Sequence, residues 1–320
     1  MNERVIESWI AAALGERPPR ANSLIITVYG DSIAPHGGTV WLGSFIRLVE
    51  PLGLNPRMVR TAVFRLTRDE WLTARRIGRR SYYSLTSAGR RRFEHAYRRI
   101  YQEPQRDWGG DWQIVLTGCA GLGPEQRDAL RKELLWEGFG AIAPGVLAHP
   151  SADLRSLTEI LEANGAADRV VAFRARSLGA IAAAPLQALV HECWNLDRIA
   201  AHYATFMDRF RPVQRALAQA GALDPQHCFV IQTLLLHEFR RVLLRDPQLP
   251  PQLLPRDWPG IAARSLCREL YLVTHRPVQR HLARMLETPE GALPQAAPYF
   301  YERFGGLDRR RAAARTALAQ

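Results

Sequence analysis

Residues 55–93, NPRMVRTAVFRLTRDEWLTARRIGRRSYYSLTSAGRRRF, carry a dense positive charge on a regular pattern. Extended to Arg99, this stretch contains thirteen arginines and three acids, a formal charge of +10 in a chain of net charge +12. The pattern predicts an amphipathic helix, then a β-hairpin that runs into another helix. A helix followed by a basic hairpin is the layout of a winged helix-turn-helix, and such a charge favours contact with DNA phosphates.

The helix has a clear start and two different faces. Asn55 is a favoured capping residue, and Pro56 suits the first helical turn. Val59, Val63 and Leu66 recur at helical spacing and predict a buried face. Arginine can donate two hydrogen bonds to guanine, and a threonine methyl can touch thymine. The residues of this helix that we expect to contact DNA, and that are able to read bases, lie on its remaining surface: Arg57, Arg60, Thr61, Arg65 and Arg68. Which arginines contact bases and which contact phosphates stays open.

The hairpin forms the wing. Gly78 marks its turn, and Thr86 and Ser87 cap the helix that follows. A charge run is usually a solvated surface, but here helix, hairpin and charge coincide. The residues that we expect to grip the DNA backbone are Arg75, Arg76, Arg79, Arg80 and Tyr82.

The rest of the first hundred residues fits the same domain. Residues 23–29 are apolar and are followed by a helix-breaking stretch, GDSIAPHGG. A helix is predicted from Trp41 until Gly53 ends it. Residues 1–101 therefore read α-α-α-β-β-α and are predicted to form the DNA-binding domain.

The middle of the chain has a different pattern. After a polar linker at 102–111, residues 112–178 read βαββαβ, the ferredoxin-like arrangement. Its first helix is expected to point Leu130, Leu134 and Leu135 inward. Such modules often pair through sheet edges, which favours dimerisation, while ligand binding or a spacer role stays open.

The C-terminal part has no strand signal after Ala180. Long apolar-periodic runs predict an all-helical domain over residues 179–290, followed by a partly disordered tail at 291–320. The fold class is thus α+β multidomain. Aromatic and basic residues in the helical region fit an effector pocket as well as an ordinary core and surface. The candidate effector-binding residues are Trp194, Arg198, Tyr203, Arg240 and Arg241.

Other functional classes find little support. No signal peptide and no membrane-length apolar run occurs, which predicts a soluble, cytoplasmic protein without membrane contact. The four dispersed cysteines predict buried free thiols. His237 and Glu238 begin a zinc-protease motif, but Arg241 stands where its second histidine belongs. We therefore predict no catalytic residue, metal site or cofactor.

These residues closely resemble a known family, the PaaX-like repressors of phenylacetic acid degradation. Four motifs carry the resemblance in the N-terminal region: YGD at 29–31, GGTVWLGSFIRL at 37–48, VRTAVFRL at 59–66 and GRRSYYSLTSAGRRRF at 78–93. It continues with DWQIVLTG, FGAIAPGVLAHP, ECWNLDRIAAHY and HEFRRVLLRDPQLPPQLLPRDWPGIAA, and reaches about residue 290.

The resemblance implies a homodimeric transcriptional repressor that binds an inverted-repeat operator in double-stranded DNA. It implies release by phenylacetyl-coenzyme A, and a middle module like Cas2 that serves assembly. Two alternatives stay open. A regulator of the same fold could respond to another acyl-coenzyme A or to a free aromatic acid. Alternatively, the protein could be a metal-dependent nuclease that uses its Cas2-like module.

Overall fold

The chain forms two compact units in the computed structural model, which describes residues 2–16, 18–103, 108–118, 121–177 and 183–307. The first unit comprises Met1–Glu103, Phe206–Arg240 and Ala262–Gln320, and the second comprises Pro104–Thr205 and Arg241–Ile261. Each unit is assembled from separate stretches of sequence. The division into continuous domains at residues 1–101, 112–178 and 179–290 stays a prediction.

The N-terminal part of the first unit contains five helices and a small sheet. A π-helical turn, Tyr29–Ile33, follows the second helix, and 3₁₀ turns lie at Ala34–His36 and Glu50–Leu52. The elements are α1 (Asn2–Glu16), α2 (Ala21–Val28), β1 (Thr39–Trp41), α3 (Leu42–Val49), α4 (Pro56–Arg68), β2 (Leu72–Ile77), β3 (Arg80–Leu85) and α5 (Ser87–Tyr101).

The predicted starts of α4 and α5 are confirmed. Asn55 Oδ1 accepts a hydrogen bond from the Met58 amide at 2.9 Å. Thr86 Oγ1 accepts one from the Gly89 amide, also at 2.9 Å. Both bonds satisfy amides that a helix leaves without an internal partner.

The hairpin was predicted correctly, but its sheet contains a third strand. The order is β1-β3-β2, all antiparallel, with Ile77 opposite Arg80 at the turn. Gly78 has a φ of 58°, which glycine adopts at low cost. The sequence analysis missed β1 because it is three residues long and carries no alternating pattern of its own.

The prediction of a break after Tyr29 was wrong. The helix continues through Tyr29–Ile33 as a π-helical turn and ends only near Gly37, whose φ is 87°. Gly30 allows a close approach here, because a Cβ atom on it would lie 2.7 Å from the Phe93 ring. Tyr29 packs on Phe45, with ring centroids 5.1 Å apart.

Asp31, in the same turn, is the centre of a buried polar network. Its Oδ1 accepts hydrogen bonds from the Tyr101 hydroxyl at 2.7 Å, the Tyr271 hydroxyl at 3.0 Å and Arg303 Nη1 at 2.7 Å. Its Oδ2 accepts one from Gln232 Nε2 at 2.9 Å. Burial raises the pKa of Tyr101 and of Tyr271 well above the usual value, so both phenols stay protonated and donate to the carboxylate.

The second unit contains the predicted βαββαβ module. Its sheet is antiparallel throughout with the order β5-β6-β4-β7, so β5 and β7 are edge strands. The core includes Val115, Leu130, Leu134 and Phe139. The elements are β4 (Asp111–Leu116), α6 (Pro124–Glu137), β5 (Gly140–Ala143), β6 (Val146–His149), α7 (Leu154–Ala163) and β7 (Val171–Arg176).

The prediction that Leu135 points inward was wrong. Leu134 is fully buried, whereas the Leu135 side chain is 39% exposed. Successive helical residues are rotated by about 100°, so Leu134 and Leu135 cannot both face the sheet directly.

Long helices dominate the remaining sequence, as predicted, but the expectation of no strand after Ala180 was wrong. Two short strands, β8 (Glu287–Thr288) and β9 (Gly291–Ala292), form a hairpin. They are too short to give a sequence signal. The helices are α8 (Ala183–Cys193), α9 (Leu196–Ala218), α10 (Pro225–Leu243), α11 (Pro259–Met285) and α12 (Pro298–Tyr301).

Parts of two predictions lie outside the described residues: Cys119 and the tail at 308–320. Cys228 and Cys267 are buried free thiols as predicted, whereas Cys193 is partly exposed. Burial raises the pKa of Cys228 to about 12. Within the described part of the chain, every helix is too short or too polar to cross a bilayer.

Candidate nucleic-acid interface

Helix α4 buries one face and leaves a basic face open to solvent. Val59, Ala62, Val63 and Leu66 are each at most 3% exposed. The residues farthest around the helix from that face are spaced four, three and four positions apart, which aligns them along one outward stripe. This outward stripe consists of Arg57, Thr61, Phe64 and Arg68, with Arg60 and Arg65 on either side.

Phe64 is the residue of this stripe that the sequence analysis missed. Its side chain is 69% exposed in the middle of a basic surface. The signal was present in the sequence, since Phe64 shares the helical spacing of Arg57 and Arg68 rather than that of the buried residues. An exposed aromatic ring among arginines offers apolar contact with thymine methyls or base steps alongside the charge.

All four wing arginines are exposed as predicted: Arg75, Arg76, Arg79 and Arg80. Arg76 Nε donates to the carbonyl oxygen of Gly78 at 3.1 Å, close to the turn. Ile77 is 40% exposed at the tip of the hairpin, which gives the wing an apolar end between charged sides.

Arg80 differs from the other wing arginines because it has partners within the protein. Its guanidinium lies over the Trp41 ring, 4.2 Å from the centroid, and its Nη1 lies 2.8 Å from Glu287 Oε2. The Tyr82 hydroxyl and the Glu287 carboxylate both raise the pKa of Arg80. Arg47 reaches the same carboxylate at 3.2 Å. Glu287, which no sequence motif marked, thus places a negative charge beside the wing.

Tyr82 is a poor candidate for a direct DNA contact. Its side chain is only 6% exposed, and it lies on the central strand of the sheet. It lies close enough to Arg80 to raise the pKa of that guanidinium. The other predicted DNA contacts all have exposed side chains.

The junction between α4 and the wing is held by α5. Arg92 Nη1 donates to the Asp69 carbonyl oxygen at 3.1 Å, and its guanidinium lies 5.0 Å from the Trp71 ring centroid. Phe93 meets the same tryptophan edge-on at 5.4 Å. A shift of the Arg92 or Phe93 side chain would therefore move the connection between α4 and β2.

The predicted effector residues are divided between the units. Trp194 and Tyr203 lie in the second unit with their rings buried, and Trp194 Nε1 donates to Gly138 O at 2.8 Å. Tyr203 donates to the Asp246 carboxylate. Arg198 and Arg241 are exposed on the same unit.

Arg240, by contrast, belongs to the first unit. Its Nη2 donates to Ser23 Oγ at 2.9 Å and to Ser23 O at 3.2 Å. Of the five candidates it is the one that lines the largely apolar cavity of that unit. The effector role of all five residues stays a prediction. Among the described residues, no group of three or more His, Cys, Asp or Glu side chains is placed to hold a metal ion.

Known proteins are similar to this chain over most of its length. Family models match in three segments: PaaX-like protein at residues 20–89, the PaaX protein central Cas2-like domain at 105–187 and the PaaX-like protein C-terminal domain at 194–284. A solved structure of an uncharacterized protein from Mycobacterium tuberculosis has a TM-score of 0.51 at 25% identity. The match covers 80% of this chain and 96% of the chain in that structure.

A curated relative shows the family directly. The transcriptional repressor PaaX of Escherichia coli (strain K12) is 41% identical over 304 residues, which are 95% of this chain and 96% of the relative. With matching models in three successive segments and this identity across nearly the whole length, the chain belongs to the PaaX-like protein family.

Proposed function

We propose that the protein is a DNA-binding transcriptional repressor of an aromatic-acid catabolic operon, with phenylacetate as the acid. The observation that carries the proposal is the exposed basic face of α4 beside a basic hairpin, in a chain 41% identical to a transcriptional repressor. Membership of the PaaX-like family supports the same role.

In this proposal α3 and α4 form a helix-turn-helix, and β2 and β3 form its wing. Helix α4 enters the major groove with its outward stripe towards the bases, since this stripe lies opposite the buried face. The exposed wing arginines contact phosphates, which gives affinity without reading sequence. Phe64 and Thr61 then supply apolar contacts to thymine.

We propose that the protein acts as a homodimer on an inverted repeat. The edge strand β7 supports this proposal, since it carries the exposed side chains of Val171 and Phe173, 46% and 52% exposed. An edge strand with apolar side chains can pair with a second copy. The two recognition helices of such a dimer would be separated by about 34 Å or a multiple of it, one helical turn of DNA.

The proposed signal is an aryl-acyl-coenzyme A, with phenylacetyl-coenzyme A as the first candidate. A ligand lowers DNA affinity only if it binds the low-affinity conformation more tightly than the DNA-bound one. A different acyl-coenzyme A or a free aromatic acid would act by the same rule. The role requires no catalytic residue and no cofactor.

The test is DNA binding by fluorescence anisotropy. Labelled fragments from the intergenic regions beside the gene are compared with scrambled sequences of the same composition. Arg60→Ala and Arg65→Ala should each weaken operator binding by about 1–3 kcal/mol if these side chains read bases. Arg256→Ala, at an exposed position of the second unit, is the control.

Equal affinity of the wild-type chain for every fragment and its scrambled version would contradict the proposal. So would DNA cleavage that requires magnesium or manganese and stops with a chelator, because that is the nuclease alternative.

A further inference from the structure

The first unit contains a cavity of about 360 Å³ that the DNA-binding face does not use. Its walls come from α2 with the π-helical turn, from α5, from α10 and from Tyr299 of α12. The volume falls within the usual range of small-molecule sites, about 300–1,000 Å³. Most of the lining is apolar and includes Ile26, Leu85, Phe93, Ile100 and Leu236.

The charged side chains of the lining are mainly basic. Arg90, Arg98 and Arg240 contribute three positive charges, and Glu94 contributes one negative charge. Asp31 also lines the cavity, but its carboxylate is paired with Arg303 at 2.7 Å. A ligand with an apolar body and an anionic group matches this combination.

Arg240 is half-buried, whereas Arg90 and Arg98 are exposed. Its Nη2 is held by Ser23, while no described residue accepts a hydrogen bond from its buried Nε. Desolvation lowers the pKa of Arg240, which reflects the cost of holding this charge away from water. A ligand anion beside this guanidinium would offset that cost.

One wall of the cavity leads to the DNA-binding face. The Phe93 ring lines the cavity, and its closeness to Gly30 leaves little room on that side, since a Cβ there would lie 2.7 Å from it. The same ring packs edge-on against Trp71 at 5.4 Å. The Trp71 amide donates to Leu66 O at 2.8 Å, so this tryptophan is fastened to the end of α4.

We propose that this cavity binds an aromatic carboxylate or the aryl end of its acyl-coenzyme A thioester. The aromatic group occupies the apolar part, and the carboxylate, or the thioester carbonyl oxygen, lies at Arg240. The exposed Arg90 and Arg98 are then available for the carboxylate or for the phosphates of coenzyme A. The bound ligand moves Phe93, and Phe93 shifts Trp71 at the passage from α4 to the wing. The proposal rests on the proposed function for its regulatory meaning, but ligand binding itself can be measured without DNA.

The first experiment is calorimetric titration of the full-length protein with phenylacetate, phenylacetyl-coenzyme A and coenzyme A. Ala96 lies on the cavity wall, so Ala96→Trp fills the space; Ala201→Trp, at an exposed position of the second unit, is the matched control. We expect one aryl probe to bind at least about tenfold more tightly than coenzyme A. Its affinity should fall about tenfold or more in Ala96→Trp and in Arg240→Gln, and not in the control.

Binding of neither aryl probe would overturn the proposal. Unchanged binding in both Ala96→Trp and Arg240→Gln would overturn it as well, while leaving a repressor with its effector site elsewhere. Failure of the proposed function looks different, because the wild-type protein would then bind the probe but show no sequence-selective DNA binding even without it.

The second experiment tests the route to DNA. DNA affinity is measured with and without saturating probe in the wild type, in Phe93→Leu and in Trp71→Leu. Allosteric coupling typically changes affinity by about 5- to 150-fold, and we expect the ratio to fall towards one in both variants. Each variant is measured at a probe concentration that calorimetry shows to be saturating for that variant, because Phe93 itself lines the cavity. An unchanged ratio in both would remove Phe93 and Trp71 from the route.

Discussion

Arg80 Nη1 lies 2.8 Å from Glu287 Oε2, so an acid from the β8 strand neutralises an arginine of the DNA-binding wing. The same carboxylate also meets Arg47 at 3.2 Å. We expect Glu287→Gln to bind DNA more tightly, because two cations become free for phosphates. The gain should be about two- to fivefold, as for a single exposed ion pair, and should shrink as salt rises.

The measurement is DNA affinity over a series of salt concentrations. Glu290→Gln is the matched control, because it removes the same charge three residues along the chain at an exposed position. Equal gains in the two variants would mean that net charge alone is responsible. No gain for Glu287→Gln would mean that Arg80 and Arg47 stay away from the DNA.

Phe64→Ala tests the apolar part of the outward stripe. Full burial of a phenylalanine side chain stabilises a complex by about 1.5–3 kcal/mol, so we expect a loss of roughly tenfold or more in operator affinity. Affinity for scrambled DNA should change little, since phosphate contacts remain. Because the side chain is 69% exposed, the free energy of unfolding should change by less than about 0.5 kcal/mol.

A control for Phe64→Ala is Ile261→Ala, whose side chain is 64% exposed on the second unit. Competition titrations with operator and scrambled DNA give both affinities for each variant. Equal weakening towards both DNAs would assign Phe64 a general role rather than a sequence-reading one.

Arg303→Met tests the buried network around Asp31. Arg303 is fully buried, and its removal leaves the Asp31 carboxylate without a cation inside the protein. Breaking a buried ion pair in this way destabilises a protein by about 3–5 kcal/mol. Urea denaturation followed by circular dichroism measures the loss.

The double variant Asp31→Asn/Arg303→Met is the informative companion. It removes both charges, so it should be more stable than Arg303→Met alone. Equal stability of the single and double variants would show that the loss comes from packing of the arginine stem rather than from the uncompensated carboxylate.

Phe173→Arg tests the edge strand β7. A charge on an exposed edge strand opposes pairing with a second copy. We expect the dimer to dissociate in sedimentation velocity, and operator affinity to fall because two linked half-sites are no longer bound together. Ile261→Arg is the control, because it adds the same charge at a 64% exposed position of α11, outside the sheet. A dimer that survives in Phe173→Arg would move the interface to another surface.

Local signals were enough to predict the elements that carry the candidate interface. The cap at Asn55 and the spacing of Val59, Val63 and Leu66 define α4 within a dozen residues, and Gly78 defines the hairpin turn. Features that depend on distant residues were missed. The β1 strand exists because it pairs with β3, and the β8 strand begins where the Glu287 amide donates to Ser44 Oγ, 243 residues away.

In the candidate site, too, some features follow from local sequence signals and others do not. The basic residues of α4 and the wing arginines are exposed as their pattern predicts, since charge is costly to bury. Tyr82 and Phe64 differ from what their residue types suggest. The polar tyrosine is buried in the central strand, and the apolar phenylalanine is exposed to solvent. Their places follow from strand position and helical phase, which composition alone does not reveal.

The bond between Asp31 and Arg303 joins positions 272 residues apart. On the ribosome, the N-terminal helices emerge long before Arg303 is made. Until then the Asp31 carboxylate lacks the guanidinium that forms its buried ion pair. A nascent chain that ends before Arg303 lacks this buried ion pair, so the unit that carries the basic face lacks one of its stabilising contacts. Synthesis therefore completes the support of the DNA-binding surface only when nearly the whole chain exists.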